Sequence, residues 1–147
     1  ICCPEMSVTL VDSLEKRVRF LREVAEKLGL RNVKCVHARA EELGRMSEYR
    51  ENFDFAVARA VASMPVLLEY CLPLVKVGGA FIAMKGANAE EEVFDRALSE
   101  LGGTVRTKKK FCLPGTDIKR CLFFIEKNRQ ISTKYPRKAG LPAKQPL

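Results

Sequence analysis

Val8-Thr-Leu-Val-Asp-Ser-Leu-Glu-Lys-Arg-Val-Arg-Phe-Leu21 is the stretch on which the fold turns. A short apolar run ends in an acid, Asp12, and a helical pattern starts at once. An apolar strand with an acid at its carboxyl end, feeding a helix, reads as the second strand of a nucleotide-binding α/β half. There the carboxylate accepts hydrogen bonds from ribose hydroxyls. In that arrangement a first strand and its glycine-rich turn lie about 20 residues upstream of the acid. Asp12 comes too early for both, so this reading carries the expectation that the first strand is missing.

Working outward, Leu14, Val18, Leu21, Val24, Ala25 and Leu28 recur at helical spacing, with Asp12 or Ser13 able to cap the start and Gly29 placed to end the helix. Val33 to Val36 is the next strand. The segment from Arg45 to Asn52 is polar, a loop or a short helix. Phe53 to Ala58, apolar but for Asp54, reads as a strand buried on both faces. A helix is expected from Met64 to Leu72, with Pro65 tolerated in its first turn. Gly78-Gly79 then turns the chain into a strand over Ala80 to Lys85. A helix over Asn88 to Leu101 ends at Gly102-Gly103. Thr104 to Leu113 and Cys121 to Glu126 read as a strand pair around the turn Pro114-Gly-Thr-Asp117. The alternation of strands and helices argues for an α/β domain with a parallel, doubly wound sheet. The closing hairpin adds an antiparallel strand, the mark of class I methyltransferases that use S-adenosylmethionine. The expected division is a partial domain over 1–127 and a basic, proline-containing tail over 128–147, extended or disordered unless bound.

The chain has 147 residues, 47% hydrophobic and 30% charged, which is the composition of a soluble globular domain with a sizeable core. No apolar run approaches the roughly 20 residues that span a bilayer. The start shows no basic stretch leading into an apolar one, so no signal peptide is expected. Cys2, Cys3, Cys35, Cys71, Cys112 and Cys121 lack C-x-x-C spacing, and His37 is the single histidine. Free thiols in a reducing cytoplasm, mostly small core residues, are expected, and no zinc or other metal. Net charge is +8, of which six basic residues and no acid lie from Lys127 onward. With a second cluster at Arg106-Thr-Lys-Lys-Lys110, this distribution fits either a polyanionic partner or a solvated face with a loose tail.

Several segments together resemble one family. They are Val11-Asp-Ser-x-x-Lys-Arg-x-x-Phe-Leu21, Ala38-Arg-Ala-Glu-Glu42, Phe53-Asp54 with Ala58-Arg-Ala-Val-Ala62, Leu72-Pro-Leu-Val75, Ala83-Met-Lys85, and Lys134-Tyr-Pro-Arg-Lys138 with its Gly-x-Pro continuation. In this order and spacing they are similar to the RsmG (GidB) family, which methylates guanine N7 in small-subunit (16S) ribosomal RNA. The likeness runs from about residue 8 to the C-terminus. The family's N-terminal helical part, first strand and glycine-rich loop have no counterpart in it.

The resemblance implies S-adenosyl-L-methionine as cofactor and 16S rRNA or the small ribosomal subunit as partner, with no membrane. Asp12 becomes the ribose contact, although a helix cap remains open to it and one carboxylate can serve both. Ala40 and Glu41 meet the adenine, against the alternative of an ordinary first helical turn where Glu suits the dipole. Arg59, at the carboxyl edge where open α/β sheets bind ligands, serves cofactor or target base. Ala58, Ala60 and Ala62 keep that neighbourhood small. Arg39, Lys85, Arg120, Lys134, Arg137 and Lys138 match basic positions assigned to the RNA, with surface solvation as the alternative for each. The tail and the Arg106–Lys110 run would contact phosphates, with Tyr135 and Phe111 near them able to stack on bases.

Transfer of a methyl group to guanine N7 needs no general base, because the lone pair is free at neutral pH, and catalysis comes from alignment. The chain lacks both the Asn/Asp-Pro-Pro-aromatic tetrapeptide of amino-methylating enzymes and a Pro-Cys nucleophile; Cys3-Pro4 has the reverse order. Two rival readings remain at this stage. One is half of an NAD-dependent oxidoreductase, which Asp12 suits but the closing hairpin and basic tail do not. The other is an inactive fragment that at most binds RNA. Losing a central strand leaves two buried edges, and each unpaired buried backbone group costs on the order of 1–3 kcal/mol. Total stability is typically about 5–15 kcal/mol. The isolated chain is therefore expected to be unstable, rearranged or prone to aggregate.

Overall fold

The computed structural model describes residues 1–59, 61–86 and 92–147. The elements, in chain order, are β1 (Val8–Asp12), α1 (Glu15–Lys27), β2 (Val33–His37), α2 (Ala40–Leu43), β3 (Phe53–Arg59), α3 (Met64–Cys71) with a 3-10 turn over Leu72–Leu74, β4 (Val75–Lys85), α4 (Asp95–Leu101), β5 (Gly103–Cys112), β6 (Lys119–Lys127) and α5 (Leu141–Lys144). They fall into two compact units, residues 1–40 and 41–147.

In the first unit β1 and β2 pair in parallel, from Val8 opposite Val33 to Asp12 opposite His37. Helix α1 makes the crossover and buries Val18 and Ala25, one heptad apart, on one stripe. Gly29, at φ +63°, ends it as the glycine position requires.

The second unit holds a four-stranded mixed sheet in the order β3-β4-β6-β5. β3 and β4 are parallel, while β6 is antiparallel to both β4 and β5. Alternation along the strands decides which side is core. Phe81 and Ala83 of β4 and Cys121, Phe123 and Ile125 of β6 point one way, into Met64, Leu67, Leu68 and Leu72 around α3 and Ala97 and Leu101 of α4. On the opposite face Phe55 and Val57 of β3 are each 56% exposed. The largely apolar run over 53–58 is thus buried on one face, not on both as its composition suggested. Helix α3 covers one side, and apolar composition alone does not say how many sides are covered.

Two boundaries differ from the sequence reading. β4 begins at Val75, not Ala80. A two-residue step on β3, Phe53 to Phe55, faces a five-residue step on β4, Val75 to Ala80, so Gly78-Gly79 lies in a bulge within the strand. Gly78 has φ +83° there, and a Cβ on Gly79 would stand 2.5 Å from the Asp54 carbonyl oxygen. The helix expected from Asn88 begins at Asp95, and residues 92–94 are not helical. Residues 87–91, and Ala60 among the small residues beside Arg59, lie outside the described residues. The cysteines divide differently too: only Cys71 and Cys121 are buried, while Cys2, Cys3 and Cys112 are exposed. Burial pushes the Cys71 thiol up to about 12, so it stays protonated.

The tail is not loose. Ile131, Tyr135, Pro136 and Pro142 are buried, and Leu141–Lys144 is helical. Arg50 donates to the carbonyls of Gly44, Tyr135 and Ile131, and Arg45 to that of Pro136. In return, carboxylates of the body accept tail amides: Glu51 from Ile131, Glu69 from Arg137 and Glu41 from Gly140. A proline-rich, aperiodic segment satisfies its backbone through side chains of the body, so the lack of a repeating pattern does not imply disorder.

Candidate functional site

Three of the parallel strands, β1, β3 and β4, end in a residue expected to bind cofactor or RNA: Asp12, Arg59 and Lys85. In the first unit Asp12 closes β1. Its Oδ1 accepts the Leu14 amide at 2.8 Å in the turn before α1, and its Oδ2 lies 3.4 Å from Arg17. Leu14 is the N-cap residue and no side chain caps the helix, so the cap expected from Asp12 or Ser13 is not formed. The Asp12 side chain keeps 24% exposure, and a carboxylate has about four lone-pair positions, so these contacts do not exhaust it. Beside it, at the end of β2, His37 faces Glu15 at 2.8 Å and the Ser13 carbonyl at 3.1 Å, held by two neighbours of Asp12 in sequence. Ala38 donates its amide to the Asp12 carbonyl and carries the chain towards α2, which Ala40 opens.

In the second unit Glu41 follows on α2, but its side chain is 4% exposed and its Oε1 accepts the Gly140 amide at 2.8 Å. The carboxylate is thus committed to the tail, leaving the backbone as the part of Glu41 able to meet a ligand. Arg59 closes β3 and is exposed, with Met84 as its register partner on β4. Among the described residues no hydrogen bond or ion pair holds its guanidinium. Lys85, at the end of β4, is well buried: its Nζ donates to the Ala62 carbonyl at 3.0 Å and pairs with Glu92 at 2.7 Å. Glu92 also accepts the Met64 amide at the start of α3. Lys85 therefore ties the strand end to a helix start. Glu92 went unnoticed in the sequence because its role depends on this closure; an acid before a helix is its one local signal.

The basic residues assigned to RNA separate by environment. Arg137 is spent on Glu69, which is fully buried: Nε lies 2.9 Å and Nη2 2.6 Å from its two oxygens, and Nη2 also donates to the Gln145 carbonyl. The Glu69 hydrogen bonds hold the Arg137 guanidinium above its usual range, against the pull of burial. Lys134 pairs with Glu100, which also accepts the Tyr135 hydroxyl, and the Glu100 bond raises the lysine's pKa. Tyr135 is thereby buried rather than offered to a base. Lys138 and Arg39 are exposed, and Arg120 is half-buried with Nη1 on the Lys119 carbonyl.

A family model described as rRNA small subunit methyltransferase G matches residues 1–112. The protein named ribosomal RNA small subunit methyltransferase G from Acetivibrio thermocellus is 59% identical over the whole of this chain and 61% of its own length. The protein of the same name from Alkaliphilus metalliredigens is 53% identical over 98% of the chain and 61% of its own length. The chain thus spans about three-fifths of the length of these relatives. Among solved structures, a variant of the 16S rRNA (adenine(1408)-N(1))-methyltransferase from Catenulisporales acidiphilia superposes with a TM-score of 0.70 at 14% identity, covering 89% of this chain and 78% of the other. At that identity the likeness is one of fold, the class I S-adenosylmethionine-dependent methyltransferase fold.

Proposed function

Because the chain belongs to the rRNA small subunit methyltransferase G family, we propose that it carries part of an enzyme that transfers a methyl group from S-adenosyl-L-methionine to N7 of a guanine in 16S rRNA. The observation that carries this reading is the family likeness, joined to where it falls. Asp12 closes a parallel strand of the first sheet and Arg59 one of the second, each at a carboxyl end of the kind at which open α/β sheets take their ligands.

The residues fit the cofactor by their chemistry. Asp12 retains acceptor capacity for ribose hydroxyls beside its bond to the Leu14 amide. Ala40 offers a small side chain beside which an adenine can lie, and the Glu41 backbone a polar contact. Arg59 carries an exposed guanidinium, which can orient a base edge or a carboxylate through paired N–H donors. Bound S-adenosylmethionine supplies an electrophilic methyl group. The protein's part is to hold and align, since guanine N7 presents its lone pair without losing a proton, and no side chain needs to act as base.

The test is transfer of labelled methyl to small-subunit rRNA, with the modified base located by cleavage specific for N7-methylguanine. Asp12→Ala is expected to weaken cofactor binding at least tenfold, while Asp12→Asn, which keeps one acceptor, loses less. Label at another atom, or an Asp12→Ala variant that binds the cofactor like the parent, would sink the reading. The second reading, an RNA-binding chain without activity, predicts rRNA binding with no transferred label.

A further inference from the structure

Arg59 is exposed, and among the described residues nothing bonds to its guanidinium, so its placement falls to its backbone. Along β3 that backbone is fixed by the ladder, with Arg59 opposite Met84 of β4. Past Arg59 the ladder ends and a second device takes over. Alternate residues of a strand face opposite ways, so Lys85 shares the side of Phe81 and Ala83, where α3 packs. From there its ammonium reaches the chain that follows Arg59. It donates to the Ala62 carbonyl at 3.0 Å and pairs with Glu92 Oε1 at 2.7 Å. Glu92 Oε2 in turn accepts the Met64 amide at 2.5 Å. Lys85 and Glu92 thus hold the exit from β3 at Ala62 and at Met64.

The neighbouring sequence does not supply this hold. Ser63, the N-cap residue of α3, makes no side-chain cap, and the first turn of the helix has no acid. The acceptor comes instead from 28 positions away. The Lys85 side chain is 12% exposed and that of Glu92 25%. An ion pair so far withdrawn from water adds little stability over apolar side chains of the same volume. Apolar side chains, however, could neither accept the Met64 amide nor donate to the Ala62 carbonyl. Hydrogen bonds are directional, so these two fix where the backbone lies, which packing does less sharply.

We propose that Glu92 and Lys85 are positioning residues, which fix the chain leaving β3 and thereby the aim of Arg59 at the cofactor or the target base. The proposal rests on the reading of the chain as part of an rRNA methyltransferase. It takes Lys85 out of the RNA contacts and places it in the frame behind Arg59, and it gives Glu92 a part in the reaction. Where catalysis is alignment, misplacing a group by about 1 Å costs on the order of 10²-fold in rate. Two other accounts compete. In one, Lys85 neutralises an RNA phosphate. In the other, the ion pair only stabilises the fold.

The experiment joins a mutant cycle on methyl transfer by the full chain to two measurements that need no turnover. Glu92→Ala is expected to lower kcat by roughly tenfold to a hundredfold, with a smaller change in the KM for small-subunit rRNA. In an Arg59→Ala background the same change is expected to cost about twofold or less, because a residue acting through Arg59 has nothing left to place. Glu92→Gln, which keeps an acceptor for the Met64 amide, recovers part of the loss. In the ligand-free chain, Glu92→Ala is expected to speed hydrogen exchange at the Met64 amide about tenfold. Unchanged exchange in β6 separates this local release from unfolding. Lys85→Met is expected to leave unchanged the slope of log K against log salt for binding of an rRNA fragment. A slope lower by about 0.7–0.9 assigns Lys85 to a phosphate and overturns the proposal. Equal losses from Glu92→Ala with and without Arg59, or unchanged exchange at Met64, also overturn it. The methyltransferase reading survives all three of those results. If the parent chain transfers no label, that reading falls and this role falls with it.

Discussion

Lys127 shows what a single buried charge does here. Its three ammonium protons go to Glu51 Oε1 at 2.6 Å and to the carbonyls of Val75 at 2.6 Å and Leu72 at 3.0 Å. Burial pulls the lysine's pKa below its ordinary value despite the Glu51 bond. Burial acts on Glu51 in the opposite sense, but hydrogen bonds from Lys127 and the Ile131 amide bring its net pKa below the ordinary 4.5. Lys127→Ala leaves a carboxylate and two carbonyls without their donor, and is expected to cost about 3 kcal/mol by urea unfolding. The acid side has a definite sign. A carboxyl whose folded pKa lies below its unfolded value stabilises the protein fully above the unfolded value. That contribution is lost as pH falls through the folded one. Glu51→Gln is therefore expected to flatten the fall in melting temperature between about pH 5 and about pH 3; an unchanged slope would assign the acid sensitivity to other groups. At this scale the sequence was readable where a residue's place on an element decides its role. Asp12 and Arg59 stand at strand ends, as expected. It was unreadable where the role depends on a distant partner: Gly140 lies 99 positions from the carboxylate of Glu41 that it binds, and Arg137 lies 68 from Glu69.

At the scale of elements, periodicity located β1, α1, β2 and the β5–β6 hairpin to within about two residues, because a buried stripe repeats every two or 3.6 residues. It failed at β4, where glycines that signal a turn serve instead as a bulge. It failed again at the tail, which has no repeat to read. The tail's attachment is testable. Glu69→Gln removes the charge that holds Arg137, and Arg137, part-exposed, can turn to solvent. The variant is expected to lose about 1–3 kcal/mol, and trypsin is expected to cut after Arg137 and Lys138 several times faster than in the parent. Equal cleavage rates would show that the buried Ile131 and Tyr135 hold the tail without the ion pair.

For the whole molecule, the question is how an apolar edge is tolerated. β3 has a neighbour, β4, on one side in its sheet, and its exposed face shows Phe55 and Val57. An exposed apolar edge strand is a template for association. Val57→Lys is expected to raise the concentration at which the 147-residue chain stays monodisperse by light scattering, with little change in melting temperature. If association persists unchanged, the edge of β3 is not its cause. The fold class, the strand-helix order and the candidate ligand-binding ends were all open to reading in the amino-acid order, because each depends on neighbours a few positions away. Which charges are spent inside the fold and which remain on display was not. Arg137, bound to Glu69, and Lys127, bound to Glu51, are not distinguished by composition from the exposed Lys109. Only closure of the chain over 50 to 100 residues brings Glu51 to Lys127 and Glu69 to Arg137.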